Sequence, residues 1–322
     1  MGDIILFDSN YHEIGPEDLE MDIEVGDSSA ANDFQATPGE TNFYGFYIPG
    51  TEIGGVLEYQ YTKSDSTENT LKGWTWRGLL TQWIIEPPKG SDYRTVSGEA
   101  NTIIRSLLTD VLGEFFEVPE EESGLTITNY QFKLYTTVLD GLMDMLDEYG
   151  YRLDIYTEKP EPGGKIQVYC RALPAKKLEG EYNNDVGLTL AFTNNQMGIN
   201  HLVCMGKGEL QERQRVDLYI SKNGKVSETK YYTGFDERIA YCDYSNAESM
   251  EELKKTGTER LKGLASYKKL EVEAESVDLN VGDIVVGRYR ETGLVVEAPI
   301  DKKIYRISGG KMSIEYGVKE ET

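Results

Sequence analysis

The hydrophobic period of this chain changes twice, and that change limits the fold more than any single motif does. Up to Pro88 the apolar residues come in short runs: Ile4-Ile5-Leu6-Phe7-Asp8, Met21-Asp22-Ile23-Glu24-Val25, Phe43-Tyr44-Gly45-Phe46-Tyr47-Ile48 and Val56 to Thr62. Polar turns or Pro49-Gly50 separate them. Such runs at such spacing predict strands of a small antiparallel barrel or sandwich. In the last run, alternation places Leu57, Tyr59 and Tyr61 on one face and Glu58 and Gln60 on the other. Lys63 to Asn69 reads as a solvated loop. Gly73 to Ile85, ended by Pro87-Pro88, closes the group, with Trp74 and Trp76 sharing a strand face.

The period then becomes helical. From Glu99 to Phe116 the apolar residues Ile103, Ile104, Leu107, Leu108, Val111, Leu112, Phe115 and Phe116 recur every three to four positions, with Ser97 available as N-cap. A second helix is expected from about Thr137 to Tyr149, with Val138, Leu139, Leu142, Met143 and Leu146 on one stripe. Thr137 and Asp140 form its capping box and Gly150 its C′ residue. Strands follow at Tyr151 to Thr157 and Lys165 to Arg171, across the turn Lys159-Pro160-Glu161-Pro162-Gly163-Gly164.

From Leu188 the β pattern returns. A short run and a turn lead into Asn200-His201-Leu202-Val203-Cys204-Met205-Gly206-Lys207-Gly208-Glu209, then an alternating strand carrying Arg213 and Arg215. Two glycines one residue apart beside an apolar run signal a bulge or a close backbone approach. Val216 to Ile220 and Lys230 to Thr233 flank Asn223-Gly224, a hairpin signal. Ser245 and Glu248 offer a capping box for a third helix through Leu264, with Met250, Leu253, Leu261 and Leu264 apolar and Gly257 and Gly263 as points where it could break. Leu270 to Glu275 alternates, Val281-Gly282-Asp283 turns into a buried strand, and Lys303 to Ser308 and Met312 to Val318 make a final hairpin across Gly309-Gly310. The predicted class is α+β and β-rich. Two small antiparallel β-barrels occupy residues 1–95 and 190–322, an α/β domain occupies 96–189, and a helical insertion at about 236–269 interrupts the second barrel.

A chain of 322 residues is long for one hydrophobic core, in line with this division. Its 56 acidic against 33 basic residues, 33 − 56 = −23, make it repel nucleic acid, because phosphate binding needs clustered Lys and Arg. The acidity serves solubility, or it lines a passage through which DNA moves without sticking. Cys170, Cys204 and Cys242 are odd in number, far apart in sequence and without a CxxC pair. Free buried thiols made in a reducing cytoplasm are therefore expected, not a zinc site or disulfide framework. No run approaches the ~18 apolar residues of a membrane span, and the N-terminus lacks a signal-peptide pattern.

Enzyme chemistry finds no motif. The two histidines, His12 and His201, have no HExxH or paired metal-binding spacing, and no Gly-x-Ser-x-Gly elbow or P-loop occurs. His201 and Cys204 are three residues apart on one strand and so point to opposite faces. Asp140, Asp144, Asp147 and Glu148 oppose the apolar stripe of the second helix, as a solvated face requires. Trp74, Trp76 and Trp83 lie within ten positions and could stack on sugars, but core or interface packing is the expected role. No catalytic, cofactor-binding or metal-ligating residue is assigned, and no cofactor is expected.

Three stretches carry a resemblance. An Asn-x-Leu-Val strand, Asn200 to Val203, running into Gly206-Lys207-Gly208-Glu209 and then Arg213, resembles the hub-like tail proteins of long-tailed bacteriophages and prophages. Arg77-Gly78-Leu79-Leu80 followed by an apolar run and Pro87-Pro88 looks like the end of the first hub domain. Val281-Gly282-Asp283-Ile284-Val285 looks like the last barrel of that family. The resemblance is architectural before Leu71. It implies a virion tail-tip protein made in the bacterial cytoplasm, with no membrane anchor. Three copies, each giving two barrels, would match a six-fold tail tube as a homotrimer. The implied partners are the distal tail protein, the tape-measure protein and receptor-binding or tail-fibre proteins, while DNA crosses the lumen without specific binding. Tail-associated lysins of the family carry a peptidase or glycosidase domain after the hub, and with this chain ending at Thr322 none is expected. Two other classes remain as alternatives: a cell-surface carbohydrate-binding module using the tryptophans and tyrosines, and a peptidoglycan hydrolase using a carboxylate pair.

Overall fold

The computed structural model describes residues 2–37, 39, 41–62, 69–112, 115–179, 188–195, 197–222, 224–247, 249–265, 267–274, 279–289 and 294–318. The chain forms two compact units, the first from Met1–Leu190 and Val272–Lys319, the second from Ala191–Glu271. The expected loop at Lys63 to Asn69 lies outside the described residues apart from Asn69, which begins a strand.

In the first unit one antiparallel sheet runs in the order Lys311–Val318, Leu294–Ser308, Met21–Gly26, Asp33–Ala36, Asn69–Thr75, Gly54–Thr62, Gly45–Tyr47, Ile5–Phe7, Glu13–Pro16. It curls into a half-barrel. The alternation read from the sequence sets its faces: Met21, Ile23 and Val25 are buried, and their ladder partners Tyr305 and Ile307 are buried with them. Asp22 and Glu24 point outward. The closing strands were expected to complete a barrel with residues 190–235. They instead continue the N-terminal sheet, because Lys302–Ile307 pairs with Met21–Gly26 and the two strands bury one continuous apolar face. The face assignment at Leu57 to Tyr61 also changes. A bulge at Glu58 shifts the register, so Leu57 faces Gly73 and Tyr59 faces Lys72, and both tyrosines remain exposed.

Helix α1, Trp76–Leu80, interrupts what reads in sequence as one continuous element. Thr75 caps it by accepting from the Gly78 amide at 3.2 Å while donating to the Asn32 carbonyl at 3.0 Å. Trp76 is therefore a helix residue and does not share a strand face with Trp74. Helix α2, Ala100–Leu112, is capped by the Glu99 carboxylate on the Thr102 amide at 2.9 Å, not by Ser97, whose hydroxyl accepts from Asn129. It stops before Phe115, and Phe116–Glu117 forms a short strand parallel to Val168-Tyr169. Helix α3, Val138–Asp147, has the expected Thr137 cap on the Asp140 amide, 3.0 Å, and Gly150 follows at φ +69°. The reciprocal half of the box is absent, since the Asp140 carboxylate accepts from Ser29. Tyr151–Thr157 pairs with Val168–Pro174, three residues later than expected. All three helices pack into the core that holds Phe7, Phe34 and Ile23, so residues 96–179 share one interior with residues 1–95.

The second unit has its own sheet, ordered Val226–Ser227, Arg215–Ile220, His201–Met205, Ile239–Asp243. Leu202, Cys204, Val216, Leu218 and Ile220 bury one face against helix α4, Met250–Leu264. Ser249 caps α4 at 3.1 Å from the Glu252 amide; the proposed Ser245 cap is not used, and Glu248 lies outside the described residues. The helix runs unbroken through Gly257, which is buried because the sheet comes too close for a side chain: a Cβ there would stand 2.6 Å from Cys204 Sγ and 2.7 Å from Leu218 Cδ1. The hairpin after Ile220 closes through Gly224 at φ +77°; Asn223 lies outside the described residues.

Candidate functional site

The first motif stretch, Arg77-Gly78-Leu79-Leu80, forms a buried joint. Arg77 has no exposed surface; its guanidinium pairs with Glu52, donates to the Leu153 carbonyl at 2.8 Å, and lies 3.4 Å from Met143 Sδ. Four separate segments of the chain thus meet on one cation. The next residue, Gly78, lets the Asn32 backbone approach, since a Cβ there would stand 2.2 Å from the Asn32 carbonyl oxygen. The nearby Cys170 thiol is fully enclosed, and burial pushes its pKa well up.

The Val281-Gly282-Asp283 stretch is a second joint. Asp283 is fully buried and accepts from the backbone amides of Lys176 and Asn280, each at 2.9 Å, while Arg152 Nε stands 3.1 Å away. Gly282, at φ +92°, leaves room for Arg152, whose Cβ would lie 2.7 Å from a side chain there.

The third stretch makes a turn pinned by an arginine. The Gly206 amide donates to the Gln214 carbonyl and the Gln214 amide to the Lys207 carbonyl, both at 2.8 Å. Gly208 sits at φ +109° against the Arg213 backbone, and Leu210 sits at φ +51° almost fully exposed. Arg213 precedes the strand Arg215–Ile220 instead of lying in it. Its Nε donates to the Gly206 carbonyl at 2.9 Å, and its other arm pairs with Asp243 at the end of the strand Ile239–Asp243, which lies on the far side of His201–Met205.

At the other end of the strand His201–Met205 lies a polar cluster. His201 is buried, with Nδ1 2.8 Å from Glu237 and Nε2 2.8 Å from Asp217, and its ring stacks on Tyr219 at 4.2 Å. Arg215 holds Asp217 below the usual carboxylate range, with His201 adding to the effect, and Lys230 does the same for Glu237. The carboxylates flank the imidazole on opposite sides instead of converging on a point. Among the described residues no group of three or more His, Cys, Asp or Glu is placed to hold a metal. His201 and Cys204 point to opposite faces, His201 toward Tyr219 and Cys204 toward Gly257.

The remaining sequence candidates disperse. Trp76 is fully buried, stacked on Phe7 at 6.3 Å and edge-on to Phe115 at 5.9 Å; Trp74 is half-buried and Trp83 exposed. The three rings therefore do not make one sugar platform. Asp144 pairs with Lys133 at 2.6 Å on the surface, and Asp147 and Glu148 are exposed. His12 lies half-exposed near Asp8, 3.9 Å away. A shallow groove of about 540 Å³ in the second unit is lined by Ser221, Lys222, Lys225, Ser227, Thr229 and Tyr231. A crevice beside Asp144, Asp147 and Gly282 has about 40 Å³, room for little more than a water molecule. Sequence reading missed Glu52, Arg152 and the carboxylates around His201. The available signal for Arg77 was a cation inside an apolar run, which folds only if it finds a partner.

On the outward face of the strands Met21–Gly26, Leu294–Ser308 and Lys311–Val318, the acids Asp22, Glu24 and Glu315 each have a cation nearby. Arg306 lies 2.8 Å from Glu315 and 4.0 Å from Asp22, and Lys302 lies 3.3 Å from Glu24.

No family model matches the chain, and no curated protein matches it. Among solved structures it is similar to phage tail and baseplate proteins. The tail protein from Neisseria meningitidis MC58 is 13% identical, with TM-score 0.45 over 100% of this chain and 97% of that one. The 43 kDa tail protein of prophage MuSo2 from Shewanella oneidensis is 14% identical, with TM-score 0.45 over 98% of each chain. A chain of the phage P2 baseplate in its activated conformation with Ca is 12% identical, with TM-score 0.47 over 98% of each.

Proposed function

We propose that this chain is a structural, non-enzymatic protein of a phage or prophage tail tip, hub-like in role, joining the tail tube to distal receptor-binding parts and leaving a channel for DNA. The observation that carries this reading is where the three motif stretches fall. Arg77, Asp283 and Arg213 each fasten separate segments of backbone. What these residues accomplish chemically is rigidity.

The sheet supports the same reading. Its N-terminal strands, Ile5 to Thr75, and its C-terminal strands, Ile284 to Val318, meet edge to edge along the Lys302–Ile307 ladder. They serve as the two tube-type modules of one protomer, with residues 191–271 lying between them in the sequence. Three copies would then give six modules, closing heterologous contacts into a ring that matches a six-fold tube. The partners in this reading are two further copies of the chain, the distal tail protein, the tape-measure protein and receptor-binding or fibre proteins. The outward sheet face would form the channel wall. Its paired charges offer a passing duplex no net cation to grip, and so no counterion release to drive adsorption.

Electron microscopy of the tail carrying this chain tests the proposal. Density for three copies in a closed ring at the tip, continuous with the tube, is the expected result. A chain absent from the tail, or present as peripheral monomers, overturns it.

A further inference from the structure

We propose that Cys204 and Cys242 are an oxidisable pair, a modification site that a hydroperoxide closes into a disulfide between neighbouring strands of the second unit. The two thiols are remote in sequence but stand opposite each other in the parallel ladder of His201–Met205 and Ile239–Asp243. Neighbouring strands lie about 4.7–4.9 Å apart, inside the roughly 4.4–6.8 Å Cα separation that disulfides span. Residues opposite each other in a ladder project to the same face. The Cys242 thiol donates to Cys204 Sγ across 3.1 Å, so bond formation needs only small side-chain rotations.

The pair is also asymmetric in the way stepwise oxidation requires. Cys204 is buried under helix α4, while Cys242 is partly open to solvent. Burial and the contact with Cys242 push the Cys204 thiol up to about 12 and keep it protonated, which leaves the encounter with oxidant to Cys242; proximity alone then brings Cys204 into the second step. In the first step Cys242 Sγ attacks the terminal peroxide oxygen. The O–O bond breaks, the thiol proton leaves with the departing oxygen as water or an alcohol, and a sulfenic acid remains. In the second step Cys204 Sγ attacks Cys242 Sγ. The S–S bond forms, the S–O bond breaks, and the hydroxyl leaves with the Cys204 proton as water. Two thiols lose two electrons and the hydroperoxide gains two. The product fastens Ile239–Asp243, which among the described residues is an edge strand of the sheet, to its neighbour His201–Met205.

The full chain, purified reduced and treated with hydrogen peroxide, gives the test. Alkylation after denaturation should show three free thiols before treatment and one after it, with the Cys204 and Cys242 peptides linked until dithiothreitol is added. Amide exchange in Ile239–Asp243 should slow about tenfold or more on oxidation. Cys170→Ser should behave like the parent chain, and Cys242→Ser should retain both of its remaining thiols. The proposal is overturned if the titre stays at three, if the link joins two chains or involves Cys170, or if Cys242 stops at a trappable sulfenic acid.

Discussion

Replacing Arg77 with methionine tests the physics of the fold at the point where most of it meets. The guanidinium has no exposed surface and Glu52, its partner, has a side chain only 9% exposed, so water cannot take over when the cation is removed. Arg77→Met therefore leaves a carboxylate in an apolar site, frees the Leu153 carbonyl and keeps most of the side-chain volume. Breaking a buried pair from one side costs about 3–5 kcal/mol, and losing a hydrogen bond to a buried carbonyl adds about 1 kcal/mol. The double variant Glu52→Gln/Arg77→Met removes both charges and should recover most of that loss, since a buried ion pair is worth little against neutral groups that pack. All three tryptophans lie in the first unit, so urea unfolding followed by tryptophan fluorescence reports on this joint. A single-variant loss under about 1 kcal/mol, or a double variant no better than the single, would refute the claim that Glu52 depends on Arg77.

Three further outcomes are expected. Gly257→Ala should destabilise the second unit, because about 1–3 kcal/mol of overpacking against Cys204 and Leu218 exceeds the ~1 kcal/mol gained in helix propensity; Gly263→Ala, with nothing within 4 Å, should stabilise it, and thermal melts of both decide. Asp217 and Glu237 are held below their ordinary values of 3.8 and 4.5, so their contribution is fully present above pH 4.5 and is lost as pH falls through their lowered folded-state values. Amide protection in Arg215–Ile220, taken against the intrinsic exchange rate at each pH, should accordingly fall below pH 4.5 in the parent chain and change less in Arg215→Ala; equal acid sensitivity in the two would count against the pairing. Asp22→Lys with Glu24→Lys leaves Lys302 without its carboxylate and adds two cations to this face, so assembled particles should form but eject DNA more slowly, with the defect eased by added salt. Unchanged infectivity at low salt would remove this face from the channel.

Local signals in the sequence were legible because their causes are local. The period over Ile103 to Leu108 marks a helix, Thr137 and Gly150 mark the ends of another, and Gly206 and Gly208 mark a turn that admits no larger residue. What was not legible depends on partners far along the chain. Lys302 meets Glu24 from 278 positions away, and nothing near either residue specifies that ladder over one with residues 190–235. The same limit separated Cys204 from Cys242 and Arg152 from Asp283. Intermediate errors came from near-equivalent local choices. Ser245 and Ser249 are both competent caps, and the helix starts at the one that lets Leu253 and Leu261 reach the sheet. Glu58 keeps a β-compatible pattern while a bulge moves it out of register. At the motif stretches the work of Arg77, Arg213 and Asp283 as backbone fasteners became visible only with their partners.

The measurement that bears most directly on the central claim is a cryo-electron microscopy reconstruction of the tail tip without imposed symmetry. The account predicts three copies of the chain, with the N-terminal strand group, Ile5 to Thr75, and the C-terminal group, Ile284 to Val318, alternating around a ring at intervals of one-sixth of a turn. The Asp22 and Glu24 face would line the lumen. A ring built from the second unit alone, or a tip in which the two strand groups of one chain are not related by that rotation, would contradict it.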